Sequence, residues 1–85
     1  MKSNAVRARR GAKSLAFSVT VRTYHEEGVS LDRAGQEAIF ASVCANYRPP
    51  AYAVLTDELW ERIQDAIWEG IQDAATAISK KETNK

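Results

Sequence analysis

The chain has 85 residues, 45% of them hydrophobic, and a formal net charge of +1, which describes one small folded domain and leaves too little chain for a second. Leu, Ile, Val and Phe supply 17 residues and Ala alone 14, so the expected core is made largely of small side chains and would gain from a partner or a dimer. No apolar run approaches the roughly 20 residues of a membrane span, and the single Cys44 excludes an internal disulfide or a cysteine zinc cluster and fits a reducing, cytoplasmic setting.

Residues 1–13 are basic, polar and without periodicity, which predicts a flexible arm ahead of the domain. Leu15, Phe17, Val19 and Val21 then alternate with Ala16, Ser18, Thr20 and Arg22. A period of two puts one side of a strand on a core, so the pattern predicts a strand over 14–24. His25, Glu26, Glu27 and Gly28 follow as a polar break in which Gly28 is free to take positive φ.

Ser30 is the expected N-cap of a helix over 31–47, with Asp32 in the first turn where the helix dipole favours an anion. Phe40, Val43 and Tyr47, backed by several alanines, give this helix a wide, shallow apolar side. Pro49 and Pro50 end it. Residues 51–55 read as a short second strand or an extended linker, with the strand preferred. Thr56 caps a helix expected over 57–79, in which Trp60, Ile63, Ile67, Ile71, Ala74 and Ile78 recur at the period of a straight helix on a globular core. Lys80 and Lys81 suit its negative end, and 81–85 is a polar tail. The expected fold is α+β, a single domain over 14–80 with one main strand packed against two helices, the strand pairing with 51–55 or across a dimer.

Charge resolved along the chain is more informative than its total. Residues 1–22 carry six bases and no acid, while the remainder carries six bases against eleven acids. On the last helix Asp57, Glu61, Asp65, Glu69 and Asp73 stand at i+4 spacing, where like-charged neighbours repel by roughly 0.2–0.5 kcal/mol. The row extends about 24 Å along the helix axis. It is either a solvated face, a surface that meets a basic partner, or the counterpart of the chain's own basic segment. Trp68 sits to one side of the apolar stripe, where an aromatic residue is a candidate interface anchor.

The basic segment offers a second candidate surface. Arg7, Arg9, Arg10, Lys13 and Arg22, with Ser18 and Thr20 on the polar side of the expected strand, are candidate contacts to nucleic-acid phosphates and a groove. His25 beside Glu26 and Glu27 lacks the convergent geometry of a metal site, and Cys44 in an Ala-rich helix suits a buried thiol. No phosphate-binding glycine loop and no nucleophile elbow is present.

The sequence therefore points to a small non-enzymatic interaction protein without cofactor, metal or membrane, an inhibitor or adaptor in the style of phage and plasmid accessory proteins, by analogy of size alone. It is expected to form a homodimer and to engage a protein partner with a basic surface through Asp57, Glu61, Asp65, Glu69, Asp73 and Trp68. The alternative is a dimeric DNA-binding transcriptional regulator that uses the basic arm and the strand.

Overall fold

The computed structural model describes residues 4–49 and 54–83. They form three helices, α1 (Asn4–Glu27), α2 (Arg33–Asn46) and α3 (Asp57–Thr83). Among the described residues there is no strand, so the fold is all-α and the α+β expectation is overturned. With it goes the pairing of a strand across a dimer.

The stretch read as a strand lies inside α1. Its alternation of Leu15, Phe17, Val19 and Val21 is real, but those side chains are not the ones that pack deepest. Ala8, Ala12, Ala16 and Thr20, every fourth residue, are fully buried, which is the spacing of a helix seam. Leu15 and Phe17 are exposed, and Val19 and Val21 are only half-buried. The local propensity agrees, because Ala, Arg and Lys dominate the first half of α1 and all are strong helix formers. The basic segment expected to be a flexible arm thus begins α1 at Asn4. Thr20 costs the seam little, since its hydroxyl donates to the Ala16 carbonyl at 2.7 Å and so is not buried unpaired.

Gly28 takes the positive φ the sequence allows it, but as the stop of a helix and not in a break after a strand. Its φ is +67° and its N–H donates to the Tyr24 carbonyl at 3.1 Å, the left-handed helix stop that glycine enters without a Cβ penalty. The start of α2 differs from expectation. The cap is Asp32, whose carboxylate accepts the Gly35 N–H at 2.9 Å, while the Ser30 hydroxyl meets only the Asp32 N–H at 3.4 Å. Asp32 is thereby outside the helix and α2 begins at Arg33. Gly35 is needed in this turn, because a Cβ there would overlap the Ser30 carbonyl.

For α3 the expected signals hold. The Thr56 hydroxyl accepts the Leu59 N–H at 3.1 Å, Asp57 and Glu58 occupy the first turn, and Lys80 and Lys81 the last. The helix runs on to Thr83, through part of the stretch expected to be a tail. Of the expected second strand, 51–53 lie outside the described residues, and Val54 and Leu55 are neither helix nor strand.

The side-chain contacts fix the helix directions. Phe40 meets Trp68 and Tyr47 meets Trp60, so α2 runs antiparallel to α3. The Tyr47 hydroxyl reaches the Ala8 carbonyl at 3.5 Å, near the Trp60 end, whereas Ala16 approaches Gly70, so α1 and α3 run the same way. The result is an up-down-up bundle with α3 at its centre. Leu59, Ile63, Ala66, Ile67, Ile71 and Ala74 form the buried face of α3, joined by the alanines of α1 and by Ile39 and Val43 of α2. No helix among the described residues is long and apolar enough to cross a membrane.

Candidate interaction surface

The five carboxylates of the acidic row are all exposed, but they do not share one face. At 3.6 residues per turn each i+4 step advances about 40° around the helix, so the row turns through about 160° from Asp57 to Asp73. Its two ends consequently meet different neighbours.

The C-terminal end meets α1. Lys13 Nζ lies 3.4 Å from Asp73 and 3.7 Å from Glu69, so one lysine of the basic segment neutralises two of the five acids within the chain. These side chains are about half exposed, and such a pair contributes of order 0.2–1 kcal/mol, reduced by salt. Lys13 reaches them because α1 lies unusually close to α3 at Gly70, where a Cβ would collide with the Lys13 carbonyl and press on the Ala16 methyl.

The middle of the row faces α2. Asp65 lines an open cleft of about 400 Å3 between α2 and α3 together with Trp68, Phe40, Gln64, Arg33 and Glu37. Phe40 and Trp68 pack edge to face, with centroids 5.6 Å apart and planes at 88°, an arrangement that contributes about 0.5–1.5 kcal/mol beyond burial. Arg33 places its guanidinium 5.8 Å from the Trp68 ring centroid while its Nε donates to Glu37 at 2.8 Å. Trp68 is therefore half-buried, one edge in the seam and one face under a cation. Glu58, beside Asp57, pairs with Arg62 at 3.3 Å.

The candidate nucleic-acid residues are dispersed around α1. Arg7, Arg10, Ser18 and Arg22 are exposed on the side away from α3. Lys13 is occupied with Glu69 and Asp73. Arg9 is half-buried, with its Nε shut off from solvent and without a hydrogen-bond partner. Thr20 is fully buried in the α1–α3 seam and presents nothing to a ligand.

His25 is exposed at the end of α1 and lies edge-on to Tyr24. Among the described residues no three His, Cys, Asp or Glu side chains converge as a metal site would require. Burial pushes the Cys44 thiol above its ordinary value, and a side-chain hydrogen bond with Gln64 pulls it partly back, which favours the protonated form.

Two features of this surface escaped sequence reasoning, and each had a signal. The α1–α3 seam was encoded in the i+4 row of Ala8, Ala12, Ala16 and Thr20, and in a lone Gly70 inside an otherwise strong helix. The aromatic pairs were encoded in similar separations, seven residues from Phe40 to Tyr47 at the end of α2 and eight from Trp60 to Trp68 on α3. Comparisons with family models, with curated proteins and with solved structures found no match to this chain.

Proposed function

We propose that this protein is a small non-enzymatic interaction module, an inhibitor or adaptor, that binds a protein partner with a basic surface. The observation carrying this reading is that Asp65 and Trp68 line the same open cleft with Phe40 and Arg33. An aromatic anchor beside a carboxylate, ringed by exposed charge, is the composition in which binding energy concentrates. A partner arginine or lysine takes the place of Arg33 over the Trp68 ring and pairs with Asp65. Glu61 and Asp57, the next acids toward the N-terminus of α3, extend the attraction and speed encounter. Glu69 and Asp73 belong to the internal bridge with Lys13 and take a lesser part.

The test is capture by the immobilised protein from an extract of its source cells, followed by identification of what is retained. The triple substitution Asp57→Asn, Glu61→Gln, Asp65→Asn removes charge at exposed positions and leaves the fold intact. The reading expects a specific protein to be captured by the parent chain and lost with this variant, while Glu69→Gln has little effect. Retention unchanged by the triple substitution refutes it.

The alternative, binding of nucleic acid, draws on the outward placement of Arg7, Arg10 and Arg22 on α1. Here α1 itself is the docking element, with no strand involved. Mobility shift of duplex DNA, weakened by added salt and abolished by Arg10→Glu with Arg22→Glu, would favour that reading over the acidic one.

A further inference from the structure

Helix α1 has a second side that carries apolar residues, interrupted by two cations. Val6, Arg10, Lys13, Phe17, Val21 and Tyr24 recur at spacings of 4, 3, 4, 4 and 3, which is one stripe on a helix. The stripe lies about 100° or more from the alanine seam at the level of Phe17. Val6 and Phe17 on it are 39% and 38% exposed, although the smaller Ala8, Ala12 and Ala16 are fully buried. The helix thus packs its small side chains internally and turns larger apolar ones outward, a distribution expected of a surface that is covered by something else.

We propose that the stripe is a self-association surface, on which α1 of a second copy packs antiparallel about a two-fold axis at Phe17. The charge pattern selects this occupant and this direction. Arg7, Arg9 and Arg10 stand in the N-terminal half of α1, and Glu27 stands at its C-terminal end on the flank of the stripe, while Lys13 is held by Glu69 and Asp73 of its own chain. Antiparallel packing sets the arginines of each copy against Glu27 of the other, whereas parallel packing would stack three arginines on three. Residues equally distant from Phe17 face one another across the axis. Arg10 and Tyr24, each seven positions away, meet twice by symmetry, a guanidinium over a phenol ring. Phe17 meets its own copy, and the aliphatic stem of Lys13 lies along Val21. On the flank of the stripe Arg9 and Glu27 approach across the same axis. An isologous contact of this kind closes on itself as a dimer, and a domain with an alanine-rich core gains from the burial.

Sedimentation equilibrium of the purified chain over micromolar to submillimolar concentration tests the proposal. The expected result is a monomer–dimer equilibrium that weakens about tenfold or more with Phe17→Glu, that Glu27→Lys also weakens, and that salt weakens as well. Leu15→Glu is the control, because Leu15 is equally exposed at 42% but lies on another side of α1, and it leaves the dissociation constant within about threefold. Helicity by circular dichroism confirms that each variant is folded. If Phe17→Glu loses helicity, Arg10→Glu on the same stripe replaces it, with the same weakening expected. A parent chain that stays monomeric throughout, or a dimer equally sensitive to Leu15→Glu and Phe17→Glu, overturns the proposal.

Discussion

Helix α3 is gripped on two sides by opposite means. Toward α1 it presents Gly70 to a row of alanines, and the backbones come so close that a Cβ at Gly70 would strike the Lys13 carbonyl. Toward α2 it presents Trp60 and Trp68, which meet Tyr47 and Phe40 at centroid distances of 6.4 and 5.6 Å. The first seam gains its energy from many short backbone-near contacts and tolerates no added atom. The second gains it from a few large rings and leaves open space beside them, the cleft that contains Asp65. The close seam fixes the fold, and the ring seam supplies a surface that a partner can enter.

Substitutions separate the two seams. The largest effect is expected where they share a core residue. Ile67 is fully buried, and Ile67→Ala should cost about 2–5 kcal/mol in urea unfolding. In the close seam Gly70→Ala adds a single methyl yet should cost about 1–3 kcal/mol, because the obstacle is backbone and cannot rotate away. In the ring seam Phe40→Leu, which keeps most of the apolar volume, should cost about 1 kcal/mol, chiefly the lost edge-to-face contact with Trp68. If Phe40→Leu proves more damaging than Gly70→Ala, the division of labour between the seams is wrong.

Smaller effects sharpen the picture. Asp32→Ala removes the α2 cap and should cost about 1 kcal/mol. Lys13→Gln breaks the bridge to Glu69 and Asp73 and should cost under about 1 kcal/mol, a difference that vanishes in high salt. The Cys44 thiol is pushed up by burial, so its contribution to stability is present below the unfolded thiol value and is lost as pH rises through the higher folded one. In practice Cys44 should react with a thiol reagent at mildly alkaline pH more slowly in the native protein than in the unfolded chain.

Helix α3 was much more legible in the sequence than the close seam it makes with α1. Large apolar residues at the helical period place α3 correctly, Thr56 marks its start, and Gly28 marks a chain break by its freedom to take positive φ, although what it ends is a helix. Alanine carries little weight in a hydrophobic pattern, so the row from Ala8 to Thr20 was masked by the stronger alternation of Leu15, Phe17, Val19 and Val21. The alternation arises because α1 is apolar on more than one side. Reading Phe17 and Val21 as core rather than as surface turned a helix into a strand. The acidic row was visible as spacing, but its course was not. The spacing i+4 drifts around a helix, which delivers Glu69 and Asp73 to Lys13 and leaves Asp65 beside Trp68.

The central claim is that α1 is a helix seated on α3 through small side chains. A nuclear Overhauser spectrum tests it most directly. The account predicts cross-peaks between the Gly70 α-protons and the Ala16 methyl, together with strong sequential amide–amide contacts through residues 14–24. Absence of the Gly70 contact, with strong sequential α-proton-to-amide contacts of an extended chain over 14–24, would contradict it.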